Sequence, residues 1–147
     1  MKKSAFSILA VVVLVSCSTS MSSSGPPVSV DVAQLNASSN IFYFAGPVAL
    51  QYQVRVTNPT NDPVTLTRLD LETIGSGAYF LRSSGTPMNL TIPPNSTQAY
   101  TISVWGRARG GYLASSEPVT LRTVAYFHGP AAGSFVRMST GNVIPVP

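Results

Sequence analysis

The sequence predicts an all-β fold, a two-sheet antiparallel sandwich of immunoglobulin-like type with about seven to nine short strands. Apolar and polar residues alternate with a period of two along much of the chain, the pattern of half-buried strands. Prolines and glycines interrupt this pattern at short intervals, as they do between strands. Helix formers are scarce, because glutamate occurs only at Glu72 and Glu117 and lysine only at Lys2 and Lys3. The Cys-Trp-Cys spacing of antibody domains is absent, so strand spacing and alternation carry the prediction.

The first half of the β pattern contains the clearest strand. Residues 28–33 alternate valine with smaller or polar residues, which predicts a strand with one buried face. Residues 41–44 (Ile-Phe-Tyr-Phe) are a short apolar run that predicts a buried strand, with an exposed adhesive edge as the alternative. Residues 48–57 keep a strict period of two and predict a half-buried antiparallel strand.

The apolar residues change parity in the strand after the Asn- and Pro-rich turn at residues 58–63. They are even-numbered up to Leu66 and odd-numbered from Leu69 onward. A strand cannot change faces without an additional residue, so we predict a β-bulge near Thr67 and Arg68. The remaining predicted strands are at 78–82, 88–92, 100–105, 119–127 and 134–138, with a closing edge strand at 143–147. Gly-, Ser- and Pro-rich turns separate them, and one of these turns is at 83–87.

The first residues have the layout of an export signal. Lys2 and Lys3 form a basic start, and residues 5–15 are apolar apart from one serine. At about 1.5 Å per residue this run spans roughly 16 Å, too little to remain in a bilayer core of about 30 Å. Residues 14–17, Leu-Val-Ser-Cys, then resemble the lipobox of bacterial lipoprotein signal peptides, in which the cysteine sulfur receives a diacylglyceryl group.

That resemblance implies that Cys17 is the lipid-attachment residue and the first residue of the mature protein. We therefore expect a signal peptide at residues 1–16, a Ser-rich tether at 17–27 and a β-sandwich domain at 28–147. Ser18 is not the aspartate that resembles an inner-membrane retention signal. We expect an extracytoplasmic, lipid-anchored protein, on the outer membrane if the bacterium has two membranes.

The composition after Cys17 excludes several classes of protein. This part of the chain carries seven arginines, no lysine and five acidic residues. So small an excess of positive charge, at an extracytoplasmic address, is a poor match to a nucleic-acid-binding protein. With one cysteine, no disulfide can form within the domain, so stability must come from a packed core. We expect the membrane as a partner through the anchor, envelope proteins or glycans as further partners, and no cofactor.

Three segments resemble late-embryogenesis-abundant type 2 domains, also called water-stress and hypersensitive-response domains. Residues 54–66 (Val-Arg-Val-Thr-Asn-Pro-Thr-Asn-Asp-Pro-Val-Thr-Leu) are similar to that family's strand, Asn-Pro turn and strand. Residues 92–96 (Ile-Pro-Pro-Asn-Ser) match its next turn, and residues 141–147 resemble its closing strand. The resemblance implies a non-enzymatic sandwich, some of whose relatives are lipid-anchored and linked to stress, and it assigns no catalytic residue. Residues 106–111 depart from it, since they are more basic and form a longer loop than the family has.

Few residues could form a catalytic or metal site. His128 is the only histidine, and we expect its His-Gly-Pro sequence to be a hairpin turn with no other ligand nearby. Asp70 and Glu72 share one face of a predicted strand and could act as a glycosidase pair or as calcium ligands, but the wet face of an amphipathic strand is the simpler interpretation. No serine lies in a Gly-x-Ser-x-Gly elbow. We expect no catalytic, cofactor-binding or metal site.

Residues 105–112 (Trp-Gly-Arg-Ala-Arg-Gly-Gly-Tyr) are the candidate binding site. Their glycines predict a long hairpin loop. Arg107 and Arg109 would pair with phosphate or carboxylate groups, while Trp105 and Tyr112 would stack on sugars; the alternative is a loop whose arginines only keep it soluble. The sequence therefore favours a lipid-anchored, non-catalytic binding or structural module of the cell envelope, with a stress-protective domain or a small hydrolase as alternatives.

Overall fold

The computed structural model describes residues 25–37, 45–82, 84–110 and 118–143, and the regular structure in these residues is entirely β. Eight strands are present there: β1 (Ser29–Ala37), β2 (Gly46–Asn58), β3 (Val64–Ile74), β4 (Tyr79–Phe80), β5 (Ser84–Ile92), β6 (Ser96–Ala108), β7 (Val119–Gly129) and β8 (Gly133–Val143). They form two antiparallel sheets, sheet A with the order β1-β2-β6-β4 and sheet B with the order β5-β3-β7-β8. The predicted two-sheet sandwich is confirmed.

Several strand boundaries differ from the prediction. β1 continues to Ala37 and β8 to Val143, beyond the stretches of clear alternation. β5 begins at Ser84, in a segment predicted as a turn, because its turn-type residues lie on a sheet edge, where proline is tolerated. The predicted strand at 78–82 is reduced to β4. The predicted strand at 41–44 and the tail beyond β8 lie outside the described residues.

The core lies between the sheets and is formed by every second residue of the long strands. In β2 the even-numbered residues are fully buried: Val48, Leu50, Tyr52, Val54 and Val56. Each fully buried aliphatic side chain contributes roughly 1.5–3 kcal/mol. A slip of one residue would turn this whole set toward solvent, so the alternation fixes which way the sheet faces.

β3 contains the predicted β-bulge. Its register with both neighbouring strands shifts between Leu66 and Arg68. Relative to β7, Thr67 is the additional residue, and its hydroxyl donates a hydrogen bond to the carbonyl oxygen of Tyr126 at 3.0 Å. Because of the bulge, Leu66 and Leu69 are both buried although they differ in parity.

Asn58 joins two turns at one end of the sandwich. Its side chain is fully buried, and its amide group donates hydrogen bonds to the carbonyl oxygens of Asp62 (2.9 Å), Ile92 (3.2 Å) and Pro93 (3.1 Å). Its Oδ1 accepts hydrogen bonds from the backbone amide of Thr60 at 3.1 Å and from the hydroxyl of the same residue at 2.7 Å. The Asn-Pro motif therefore fixes the β2–β3 turn against the end of β5.

The chain enters the domain beside sheet B. The guanidinium group of Arg137, on β8, donates hydrogen bonds to the carbonyl oxygens of Pro26 and, at 3.1 Å, of Val28. A Cβ added to Gly25 would lie 3.3 Å from the Cβ of Phe135. The segment before β1 thus packs on β8.

Candidate functional site

The described residues of the predicted binding loop lie mostly on a strand. The predicted strand that ends at Trp105 continues in β6 to Ala108, so the prediction of a long hairpin loop is wrong for Arg107. The odd-numbered residues of β6 are exposed and the even-numbered ones face the interior, which places both side chains on the outer face of sheet A. Arg109 follows directly after the strand, and Tyr112 lies outside the described residues.

Gly106 explains why this glycine-containing stretch is a strand. It faces the interior, where an added Cβ would lie 2.9 Å from Leu50 Cδ1, 2.9 Å from Leu81 Cδ2 and 2.9 Å from the carbonyl oxygen of Phe80. These distances are too short for a side chain. The glycine therefore allows the neighbouring strands to approach closely and does not open a turn.

β4 adds an aromatic residue to the site. Phe80 pairs with Arg107, shares the outer face of sheet A and is 39% exposed. The guanidinium carbon of Arg109 lies 4.3 Å from the centroid of the Phe80 ring, a cation–π contact, and the backbone amide of Arg109 donates to the carbonyl oxygen of Ala78 at 3.0 Å. We call Phe80, Trp105, Arg107 and Arg109 the Trp–Arg surface.

The arginines of the Trp–Arg surface have no acidic partner among the described residues. Other arginines in the described residues do have acidic partners: Arg68 pairs with Asp70, and Arg122 pairs with Glu72. Trp105 is 73% exposed, more than any other large apolar side chain in the described ranges. A solvated indole beside two guanidinium groups that have no acidic partner in the described ranges is typical of a surface that another molecule covers.

The Trp–Arg surface offers two kinds of contact to a ligand. The face of the Trp105 indole can stack on a sugar ring, and a guanidinium fork can form paired hydrogen bonds with phosphate or carboxylate. The stacking of Arg109 on Phe80 already restricts that guanidinium group. Less conformational entropy is then lost when it binds an anion.

The Trp–Arg surface lies far from the point where the chain enters the domain. Trp105 is about eight residues along β6 from Thr97, a distance of roughly 26 Å. Thr97 pairs with Thr57, which pairs with Ser29 at the start of β1. The surface is also on the outer face of sheet A, whereas the entering chain packs on sheet B.

The two neighbouring carboxylates on β3 are held by arginines. The Nε and Nη2 atoms of Arg68 each donate to a different carboxylate oxygen of Asp70 at 2.7 Å, and its guanidinium carbon lies 5.2 Å from the Tyr126 ring centroid. Arg122 forms an ion pair with Glu72. The prediction of a wet strand face is wrong for Asp70, which is only 8% exposed because Arg68 and the neighbouring strands cover it.

His128 lies on a strand and not in a turn. It is the penultimate residue of β7, it is exposed, and its Nδ1 is 3.5 Å from the hydroxyl oxygen of Ser134. The prediction of a turn histidine is wrong because β7 continues through Gly129, and the turn is formed by residues 130–132. Within the described ranges, no three His, Cys, Asp or Glu side chains cluster as metal ligands would.

A buried chain of hydrogen bonds fixes β4 against the sheet. The Tyr52 hydroxyl donates to the Tyr79 hydroxyl at 2.7 Å, and the Tyr79 hydroxyl donates to Gln34 Oε1 at 2.7 Å. Burial is the main cause that raises the pKa of Tyr79 to about 12, and burial also raises the pKa of Tyr52. Since Tyr79 directly precedes Phe80, these hydrogen bonds also position Phe80 in the Trp–Arg surface.

Alkaline pH is expected to destabilise the domain through these two tyrosines. Unfolded tyrosine loses its proton near pH 10, whereas the raised pKa of Tyr79, about 12, keeps it neutral in the folded state. The two tyrosines therefore do not lower stability below about pH 10, and stability falls as the pH rises toward 12, by on the order of 1 kcal/mol at pH 11 for each buried tyrosine. Thermal unfolding at pH 9 and pH 11 measures this loss. The Tyr79→Phe variant should lose less than the unmodified chain, and an equal loss would contradict the expectation.

Two clefts open on the described surface. One, of about 190 Å³, lies between the edges of β1 and β8, and the other, of about 350 Å³, lies beside the entering chain and the β2–β3 and β7–β8 turns. The first contains Asp31 and the second contains Asp62 as its single acidic residue. Neither cleft has a histidine or cysteine in its lining.

Comparisons with known proteins support the fold. No family model matches the chain, and no curated protein matches it. Among solved structures it is similar to a structural-genomics target designated SoR45 (TM-score 0.55, 12% identity, covering 80% of this chain and 84% of the other). It is also similar to a Bordetella pertussis protein provisionally named ApaA (TM-score 0.51, 17% identity, covering 82% and 92%).

A third similar structure has the fold that the sequence motifs suggested. It is the solution structure of a protein provisionally assigned to the late embryogenesis abundant (LEA) proteins (TM-score 0.50, 14% identity, covering 78% of this chain and 68% of the other). The chain therefore has a fold like that of this LEA protein. In the part of the chain that the structure describes, no helix has the length and apolar character needed to cross a bilayer.

Proposed function

We propose that this chain is a lipid-anchored protein of the bacterial envelope whose β-sandwich is a non-catalytic binding module for an anionic envelope glycan. The observation that carries the proposal is the Trp–Arg surface. It combines a highly exposed indole, Trp105, with two arginines, Arg107 and Arg109, that have no acidic partner among the described residues.

The chemistry of the Trp–Arg surface fits a ligand that is both a carbohydrate and an anion. A purely apolar ligand would leave two guanidinium groups desolvated without partners, which is costly. A small inorganic anion would leave the indole face uncovered. Phosphorylated or carboxylated sugars, as in lipopolysaccharide and peptidoglycan, satisfy both groups at once.

The proposed anchor is Cys17, and the fold is compatible with it. The Ser-rich tether would reach roughly 16–19 Å from the membrane. The described chain packs on β8 at Pro26, so a tether would leave from the sheet B side. The Trp–Arg surface, on the outer face of sheet A, would then remain accessible while the protein is anchored.

The arrangement of three ionisable side chains, Asp70, Glu72 and His128, supports a binding role without catalysis. Asp70 and Glu72 are each paired with an arginine, and His128 is an exposed strand residue whose one neighbouring group is a serine hydroxyl. A general acid or base needs a free carboxylate or imidazole within hydrogen-bond reach of a bound substrate. Substitution of His128 or Asp70 should therefore leave ligand binding unchanged.

A second candidate function is protection against water stress. The similarity to the LEA structure favours it, together with the Asn-Pro motif around Asn58. Under this alternative, deletion of the gene should reduce survival of desiccation while glycan binding by the purified protein is absent. Binding that depends on the Trp–Arg surface would favour the first proposal.

The binding proposal is tested by replacing the two arginines together. Arg107→Ala with Arg109→Ala should weaken co-sedimentation with purified peptidoglycan sacculi, or binding to lipopolysaccharide, by about tenfold or more, since a hydrogen bond to a charged group contributes about 1.5–3 kcal/mol. The loss should be largest at low salt, because the arginines act partly through charge. Trp105→Ala should weaken binding at all salt concentrations.

Arg55→Ala is the matched control. Arg55 is exposed on β2 of the same sheet and pairs with Ala99, at the other end of β6 from Trp105. The control should bind like the unmodified chain. Equal binding by the control and the double variant, to both glycans, would overturn the proposal.

A further inference from the structure

The β6 edge of sheet A is almost uncovered. β6 pairs with β2 along its whole length, but on its other side β4 covers only Arg107 and Ala108. From Ser96 to Gly106 the backbone groups on that side have no strand partner among the described residues. Unpaired backbone donors and acceptors in a row form a template for another strand.

This edge lacks the protection that the other three edges have. β1 carries an irregularity between Gln34 and Asn36, β5 contains Pro87, and the entering chain is bound to β8 through Arg137. Bulges, prolines and covering segments are the usual means of preventing edge-to-edge association.

In the part of the chain that the structure describes, the β6 edge has none of these devices. Its register with β2 is unbroken over the whole strand, and the stretch from Ser96 to Gly106 contains neither proline nor a charged residue. Such an edge is suited to pairing with another strand.

The inward-facing side chains of β6 are also incompletely covered. Tyr100 and Ile102 are only half-buried, whereas the residues opposite them on β2, Val54 and Tyr52, are fully buried. A strand placed beside β6 would cover the exposed sides of Tyr100 and Ile102 with its own inward-facing residues.

We propose that a second copy of this chain pairs its β6 with this one in antiparallel orientation, joining two sheets A into one continuous sheet. A pairing centred on Thr101 spans the open edge and ends where β4 begins. It places Thr101 opposite Thr101, and Ala99 opposite Ser103, so no like charges meet and the outward side chains at the centre of the pairing are small. Toward each end of the pairing, Trp105 of one copy lies opposite Thr97 of the other. Tyr100 of each copy then lies opposite Ile102 of the other.

A second copy fits the edge because of where the pairing leaves the entering chains and the Trp–Arg surfaces. The two-fold axis of this pairing is perpendicular to the sheet, so both entering chains remain on the sheet B side and both copies can face one membrane. Both Trp–Arg surfaces remain on the opposite face. The pairing itself does not depend on the ligand of those surfaces.

Disulfide trapping in membranes tests the pairing directly. Thr101→Cys in the full chain adds one thiol to a sequence whose only other cysteine is Cys17. Opposite Cβ atoms in an antiparallel pair lie about 4.5–5.5 Å apart, close enough for a disulfide after small adjustment. We expect mild oxidation to give a dimer, with Ala99→Cys and Ser103→Cys covering a pairing displaced by one repeat along the edge.

Gln53→Cys is the matched control. Gln53 pairs with Thr101 and is one strand farther from the edge, so its two copies would be about three strand spacings, roughly 14 Å, apart. The unmodified chain measures any cross-linking through Cys17. Thermal unfolding of each variant confirms that it is folded.

The Thr101→Lys variant provides an independent test. Two lysines facing each other at the two-fold axis should convert the detergent-extracted dimer to a single copy, whereas Gln53→Lys should leave its mass unchanged. Cross-linking no greater than that of the Gln53→Cys control at all three edge positions would overturn the proposal. A cross-linked product of another mass would overturn it too, because the occupant would then be a different protein.

Discussion

Asn58→Ala is expected to lower the free energy of unfolding by about 3 kcal/mol or more. The substitution leaves three buried or half-buried carbonyl oxygens, those of Asp62, Ile92 and Pro93, without the amide donor that now satisfies them. It also removes the acceptor for the backbone amide and hydroxyl of Thr60. For a domain of this size the midpoint of thermal unfolding should fall by about 10 °C or more.

Asn61→Ala is the matched control for this effect. Asn61 lies in the same turn, but its Oδ1 accepts an exposed hydrogen bond from Asn95 Nδ2 at 3.1 Å. We expect it to change stability by less than about 0.5 kcal/mol. Equal stabilities for Asn58→Ala and the unmodified chain in urea denaturation would contradict the interpretation of Asn58 as the residue that joins the two turns.

Cys17→Ala is expected to abolish firm attachment to the membrane. Each buried methylene of an acyl chain contributes about 0.8 kcal/mol, so the two chains of a diacylglyceryl group hold a protein that the folded domain alone would not. Without the sulfur the chain should stay as an unprocessed precursor or be released in soluble form. Fractionation in high salt, which removes charge-mediated association, measures the retained fraction.

Ser22→Ala controls for changes in the tether that leave Cys17 in place. It should remain in the membrane fraction like the unmodified chain. Retention of Cys17→Ala in high salt at the level of the control would exclude lipidation as the means of attachment.

Much of the fold is predictable because a strand has a period of exactly two residues. The bulge at Thr67 followed from parity alone, since buried Leu66 and Leu69 cannot share a face without an additional residue. The importance of Asn58 could not be predicted in this way. Two of its partners, Ile92 and Pro93, are distant in sequence and reach it only through the packing of the turns.

The candidate site was predictable only in part, for the same reason. Residues 105, 107 and 109 share a face as soon as the stretch is a strand, but the glycine at 106 indicated a loop. The close approach of Gly106 to Leu50 and Leu81 depends on contacts between residues distant in sequence, which the local sequence pattern does not predict. Phe80 reaches the site through a two-residue strand, β4, whose pairing partner is equally remote.

Mass spectrometry of the mature N-terminus tests the anchored-module proposal most directly. In protein extracted from native membranes, we expect the first residue to be Cys17, with a diacylglyceryl group on its sulfur and often an acyl group on its amine. A mature chain that begins at another residue, or a Cys17 sulfur that carries no fatty acids, would contradict it.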